Sequence, residues 1–390
     1  MPGICKNTIG IMPAGALGVA FYHHLTGGNS DQGDVIFLDR PAGGESNILR
    51  LSDSLHIEYG GKSFTIPTQG RFLGGIIECY DKGKLPELIM VATNPDQIDS
   101  VLQGILRLLE WMRDEGTLEL EPLEFPYFLF VANGIYFNRT RYRYVELLER
   151  AFMEGMLPDL WPDIVPQLVC RLLRAPTMVL GHRIGHGSGA VYHPGYKGPT
   201  LISGGNAASR KRVRTLLANR GLPVEISDQS PVSIELRKAV MNLIGNMFGV
   251  IYSIDDGGLF RPRALDEIVV PKHYPEFIEL GEHVYSIARA IRAVPNDTCF
   301  IDVWPTILDQ IHSLESHYTS TVQSVAQSVA DGIVLPEMTP NEAWLFNPLK
   351  ELAADLQLQE AYTYLLRLEE RYRGALLSIR CINPSTRAEF

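Results

Sequence analysis

The strongest constraint this chain places on its own fold is an alternation near its start. Thr8–Met12 is a short apolar run, Pro13-Ala14-Gly15-Ala16-Leu17-Gly18 follows as a glycine-bearing turn, and Val19–Leu25 has helical character. A second apolar run, Val35–Leu38, ends in Asp39-Arg40. Strand, turn, helix, strand and acid is the order of a dinucleotide-binding βαβ unit. Glycines in its turn let the backbone approach a pyrophosphate at a helix N-terminus, where free amides and the helix dipole favour an anion. Pro13, Ala14, Gly15, Ala16, Leu17 and Gly18 are therefore the candidate cofactor turn. Pro13 departs from the pattern, since it stands where the first glycine makes the tight turn, whereas Gly15 and Gly18 hold the positions for close approach and helix–strand packing. About 20 residues further on, Asp39 suits a ribose hydroxyl and Arg40 a 2′-phosphate, which leaves NAD and NADP both open. Arg40 is equally at home as a solvated surface charge.

The same alternation continues. Gly60-Gly61 separates Leu55–Tyr59 from Ser63–Ile66 and predicts a hairpin. Leu88–Ala92 is a buried strand followed by Thr93-Asn94-Pro95, Gln97–Met112 is an amphipathic helix, and Tyr127–Ala132 is a strand ending at Asn133-Gly134. Strands alternating with helices predict an α/β fold, a parallel sheet covered on both faces. Ligands of such sheets lie beyond the carboxyl ends of the strands, so Asn94, Gln97 and Asn133 join the candidate cofactor residues. Asn133-Gly134 serves equally well as a plain turn. Residues 137–174 break the rhythm and are expected to be an insertion packed against this first domain. From Met178 to Ser203 short glycine-bearing strands carry His182, His186 and His193, but no carboxylate or cysteine lies within the cluster and no metal site is assigned.

Past Asp228 the pattern turns helical. The expected domains are residues 1–228, a Rossmann-type nucleotide-binding domain, and residues 229–390, all-α, with helices over Pro275–Ala293, Asp302–Ala330, Asn341–Leu356 and Gln359–Leu377. The second domain opens with Ser230–Ile254, one largely buried helix. Its Lys238, Asn242 and Asn246 recur every fourth residue and share a face, while Val240, Leu243, Ile244, Met247 and Phe248 make the rest apolar. A lysine and two carboxamides on such a helix are costly to bury unless something polar meets them. An ammonium beside two amides suits a carbonyl or carboxylate ligand. The competing reading lets Lys238 snorkel to solvent and the asparagines bridge neighbouring helices.

Composition narrows the setting. A formal net charge of −10 argues against a general nucleic-acid surface. Five scattered cysteines without a CxxC pair fit a reducing, cytoplasmic setting. No stretch offers about 20 uninterrupted apolar residues for a membrane span. The long helical stretches 302–330 and 359–377 suit a homodimer interface or the monomer's own core.

With these residues in place, the chain resembles the ketopantoate reductase family. The resemblance rests on Lys238-x-x-x-Asn242-x-x-x-Asn246, on Ser320-Thr321-Val322-Gln323, on Glu342-Ala343-Trp344-Leu345-Phe346-Asn347, and on Asn133-Gly134. It implies an N-terminal Rossmann domain, a helical C-terminal domain, and NADPH-dependent reduction of a 2-oxo acid to the 2-hydroxy acid, as in a 2-dehydropantoate 2-reductase. It further implies Lys238 as the catalytic acid, Asn242, Asn246 and Ser320 as substrate ligands, and Glu342 as support for the lysine or the substrate. From its own neighbours Glu342 has a second role available, because Thr339-Pro340-Asn341-Glu342 is a capping box. Pro13, Asn94 and Ser324 depart from the family pattern, and the chain exceeds the family's usual length. Two alternatives stand beside the reductase: an opine-type dehydrogenase using a pair such as His312 or His317 with Asp302 or Asp309, and a non-catalytic nucleotide sensor.

Overall fold

The computed structural model describes residues 3–28, 34–39, 53–118, 123–158, 162–185, 189–255, 257–314 and 316–380. Two compact units divide it: residues 1–132 with 136–231, and residues 133–135 with 232–390.

In the first unit the apolar run after Asn7 forms the central strand. Ile9, Ile11 and Met12 of β1 (Ile4–Met12) are fully buried, as are Leu88–Val91 of β6 (Leu85–Val91) beside it. Continuous apolar strands of this kind belong in a parallel sheet covered on both faces. Among the described residues, eight strands form that sheet in the order β12-β11-β8-β7-β6-β1-β2-β5. Here β2 is Val35–Leu38, β5 Phe72–Leu73, β7 Tyr127–Phe130, β8 Leu172–Arg174, β11 Thr200–Gly204 and β12 Val224–Ile226. All neighbours run parallel except β11 against β8. The chain builds outward from β1 through β2 to β5, then returns to the other side of β1 at β6, so the topological switch point lies between β1 and β6.

Helix α1 (Ala16–Thr26) covers one face of the sheet and α2 (Ile76–Asp81), α3 (Ile98–Asp114) and α4 (Phe137–Met153) the other. The segment expected as an insertion, residues 137–174, is instead the crossover of the sheet itself. It supplies α4, the short α5 (Val165–Val169) and strand β8, and Phe137, Tyr144, Leu147, Leu148, Ile164 and Leu168 pack into the core with α2 and α3. Arg139, Arg150, Pro158, Pro162 and Pro166 mask this in sequence because they lie on the outer side of the packing, whereas Arg174 at the end of β8 is fully buried.

The Gly60-Gly61 hairpin forms as expected, β3 (Ser54–Tyr59) with β4 (Lys62–Pro67), both glycines having positive φ. It joins β10 (Val191–Lys197) and β9 (Val179–Ile184) in a second sheet, ordered β4-β3-β10-β9, that packs on α1. Helix α6 (Ala207–Ala218) precedes β12.

The second unit is helical: α7 (Pro231–Leu243), a π-helical turn (Ile244–Phe248), α8 (Gly249–Tyr252), α9 (Leu265–Ile268), α10 (Tyr274–Ala290), α11 (Phe300–His312), α12 (Ser320–Ala330), α13 (Pro340–Asp355) and α14 (Gln359–Arg380). The stretch 302–330, expected as one helix, is broken between His312 and Ser320. Ser316 takes a positive φ there, and the Thr319 hydroxyl accepts from the Val322 amide to cap a new helix. Helix α14 buries Leu365, Leu368, Tyr372 and Leu376 in this chain's own core. No helix among the described residues is long and apolar enough to cross a membrane.

Candidate active site

Every candidate cofactor residue that is described follows the carboxyl end of a strand in the first unit's sheet. The turn Pro13–Gly15 leaves β1, Asp39 follows β2 directly, Asn94 and Gln97 follow β6, and Asn133 lies beyond β7. The two turn glycines differ in what requires them. A Cβ at Gly18 would stand 2.1 Å from the Pro13 carbonyl oxygen, so only glycine lets the helix seat on the turn. A Cβ on Gly15, the N-cap of α1, would meet nothing within 4 Å, which leaves open space over the first amides of an 11-residue helix. That space, with amides and helix dipole behind it, fits a pyrophosphate. Ala14 is buried beneath the turn, and Ala16 and Leu17 are half-buried on the first helical turn. Asp39 is 5% exposed and its amide donates to the Gly74 carbonyl at 3.2 Å, which fixes the strand end where a ribose would lie. Asn94 and Asn133 are exposed and Gln97 is half-buried. Arg40 and His186 lie outside the described residues.

In the second unit α7 carries Lys238 and Asn242, both half-buried, one turn apart on one face. Burial pulls the Lys238 ammonium down to about 8. The Asn242 Nδ2 is buried and has no hydrogen-bond partner among the described residues, so an acceptor is wanted there. Beyond Leu243 the helix widens into the π turn that contains Asn246. Such turns free carbonyls from the helical ladder, and the Gly245 carbonyl accepts the Thr319 hydroxyl at 3.2 Å. Gly245 and Gly249 permit this contact, since a Cβ at either would stand about 3 Å from Thr319 or Val322.

Glu342, in the first turn of α13, is 0% exposed. Its Oε1 accepts the Thr321 hydroxyl at 2.7 Å and its Oε2 accepts the Thr339 hydroxyl. Tyr372 of α14 lies 2.9 Å from the Thr339 hydroxyl. Burial pushes the Glu342 carboxyl up to about 7, opposed by its hydrogen bonds from Thr321, its own backbone and Asn246. The Thr339 hydroxyl makes no capping bond to the helix backbone, so the sequence-level capping box is given over to the carboxyl.

D-mandelate dehydrogenase, solved as a ternary complex with NADH and anilino(oxo)acetate, matches 95% of this chain and 99% of its own with a TM-score of 0.61 at 15% identity. A ketopantoate reductase from Ralstonia solanacearum MolK2, described there as putative, matches 95% and 98% of the two chains with a TM-score of 0.56 at 15% identity. A PanE/ApbA family ketopantoate reductase from Ralstonia eutropha JMP134 matches 94% and 99% with a TM-score of 0.54, again at 15% identity. The fold is that of the ketopantoate reductases. No protein-family model and no curated protein matches the sequence.

Within this fold the helical unit brings Asn246 and Glu342 together and sets Lys238 beside Asn242. Ser320 and Asn347 lie exposed, and the residue that reaches Glu342 from α12 is Thr321. Thr321, Thr339 and Tyr372 escape a reading by spacing because three different helices bring them to one carboxyl. The available signal was the position of Thr339 as N-cap. His182 and His193 stack, centroids 4.6 Å apart, and no group of three or more metal-ligating side chains is found among the described residues.

Proposed function

We propose that this protein is a nicotinamide-dinucleotide oxidoreductase that interconverts a 2-oxo acid and its 2-hydroxy acid, with ketopantoate reductase-like chemistry. The observation that carries this reading is the pairing on one helix face of the half-buried Lys238 ammonium, held below its ordinary range by burial, with the buried, unpartnered Asn242 Nδ2. The fold shared with D-mandelate dehydrogenase and the ketopantoate reductases supports it.

A dinucleotide held by Pro13–Gly18 and Asp39 would supply the hydride. Lys238, with its pKa at about 8, is protonated at neutral pH and gives its proton to the developing alkoxide oxygen. Asn242 donates its free amide hydrogen to the substrate's carboxylate or carbonyl oxygen, and Asn246, one turn further along the helix, fixes the other side of the ligand. The family resemblance favours NADPH, with NADH the alternative favoured by Asp39 at the ribose position. Asp302, Asp309 and His312, of the opine-type alternative, lie exposed on α11, and His317 is half-buried beyond it.

The test is oxidation of NADPH and NADH with a panel of 2-oxo acids, ketopantoate and benzoylformate included, for wild type and Lys238→Ala. Turnover is expected in the wild type and to fall by roughly 10²- to 10⁴-fold in the variant, with dinucleotide affinity unchanged. Because the acid must be protonated, reduction should decline as pH rises through about 8. Unchanged turnover in Lys238→Ala removes the lysine from the mechanism, and dinucleotide binding without turnover on any acid replaces the enzyme with a nucleotide sensor.

A further inference from the structure

Arg174 closes β8 and is the largest fully buried side chain among the described residues, at 0% exposure. Arginine is almost never fully buried without partners that satisfy its charge and its donors. Leu172 and Leu173 precede it on the strand, and a third apolar residue would fill the same interior without desolvating a guanidinium. What an apolar residue could not supply is a hold on the two stretches of chain that flank Asn133.

The incoming stretch is the end of β7. Phe130 stands opposite Arg174 in the sheet register, and its carbonyl accepts the Arg174 Nη1 at 2.8 Å and the Ala175 amide at 2.9 Å. The outgoing stretch begins at Tyr136, just before α4, and the Arg174 guanidinium carbon lies 4.6 Å from the centre of the Tyr136 ring. With water excluded, such a cation–π contact is stronger than one at a surface. The Tyr136 hydroxyl donates to the Ala132 carbonyl at 3.2 Å and closes the base of the turn. One side chain therefore holds both stems of the loop that carries Asn133, with only Gly134 and Ile135 between Asn133 and the second stem. Phe130, Tyr136 and Arg174 all belong to the first unit, so the clamp is internal to it.

We propose that Arg174 is a positioning residue for the dinucleotide, holding the loop of Asn133 at the carboxyl end of β7 in the conformation that the ligand needs. This deepens the function proposed above and rests on it. A loop fixed in advance loses less freedom when the ligand arrives, so the ligand binds more tightly. A dinucleotide lies across the switch point of the sheet. Gly15 and Asp39, at the ends of β1 and β2, take its adenosine and pyrophosphate. Strand β7 lies on the other side of the switch point, beyond β6, where the nicotinamide half falls. Arg174 acts on that half alone.

The experiment compares dissociation constants by calorimetry on the full-length protein, for NADH and NADPH against ADP and 2′-phospho-ADP, which lack the nicotinamide half. Arg174→Met keeps the length of the side chain and removes its charge, its donors and its flat face. It should weaken dinucleotide binding roughly tenfold, the equivalent of one lost contact of this kind, and leave binding of the adenosine diphosphates unchanged. Arg174→Lys can still donate to the Phe130 carbonyl but offers no planar face to the Tyr136 ring. It should recover part of the loss, and it serves if the methionine variant does not fold. Tyr136→Leu, which removes the ring from the other side of the contact, should reproduce the selective loss. Equal weakening of both ligand classes, or weakening of neither, overturns the proposal. A wild type that binds neither NADH nor NADPH overturns the parent function, and the positioning role falls with it.

Discussion

In the first unit the candidate ligand residues are defined by what is missing beside them, and in the second by what crowds them. The candidate cofactor turn is a matter of backbone: open space over Gly15, a carbonyl pressed against Gly18, and strand ends that carry Asp39 and Asn94. The candidate residues of the helical unit are a matter of side chains: a carboxyl closed in by two threonine hydroxyls, and a helix that carries a half-buried ammonium. A backbone site tolerates changes of residue type as long as volume is respected. A side-chain site tolerates changes of volume poorly and changes of proton count hardly at all.

That contrast has its largest expected consequence in pH. In the first unit His24 is 6% exposed, accepts or donates one bond at 3.1 Å with the Gly195 carbonyl, and is pulled by burial from 6.5 to about 4. Between those values the unfolded chain binds more protons, so the first unit's stability is complete above about 6.5 and is lost as pH falls toward 4. Glu342 has the opposite sign. Its carboxyl is raised from 4.5 to about 7, the folded chain binds more protons between them, and the second unit's stability falls as pH rises through that window and levels off above it. Each effect is worth roughly 3 kcal/mol when complete. Hydrogen exchange resolved along the chain should therefore show protection in α1 and β10 falling on acidification while protection in α12 and α13 rises. Parallel slopes in the two units would break the comparison.

The glycine pair sharpens it. Gly18→Ala forces a methyl group against the Pro13 carbonyl and should cost about 1–3 kcal/mol of stability. Gly15→Ala has room and should leave stability within about 0.5 kcal/mol while weakening dinucleotide binding. Denaturant melts paired with an NADH titration separate the two, and equal losses of stability would refute the distinction. A smaller effect than that of Gly18→Ala is expected for Thr321→Val, which keeps the shape of the side chain and removes one bond to Glu342. It should cost about 1 kcal/mol, read from the same melts, and a Thr321→Ser control should recover most of it.

How much of this could be read from the sequence obeys the same division. Glycine spacing, apolar runs and strand-end acids are local, and the Rossmann unit with its turn and the Gly60-Gly61 hairpin were legible from them. The second sheet was not, because its register pairs His56 with Val191 across the length of the unit and no local pattern specifies that pairing. The crossover 137–174 was misjudged for a related reason: a strand as short as β8 carries too little periodicity to be told from a loop. In the helical unit the buried face of Ser230–Ile254 was legible. The helix phase at 320 was not. Thr319 caps α12, which leaves Ser320 on the outside of the first turn and brings Thr321 to the carboxyl. A single capping hydroxyl sets that phase, and the periodicity of Ser320–Ala330 does not reveal it.

The π turn at Ile244–Phe248 also bears on how this chain could be altered by insertion or deletion. A helix that closes one turn with an extra residue has a built-in slip point. Removing one residue there would let the backbone rewind as ordinary α-helix while the residues downstream keep nearly the phase they hold relative to Lys238 and Asn242, because about four α-helical residues turn the chain as far as the five of the π turn. A deletion in the regular part of the helix would instead rotate everything downstream by about 100°. This one turn is therefore where the helix can absorb a change of length without changing the face that its later residues present.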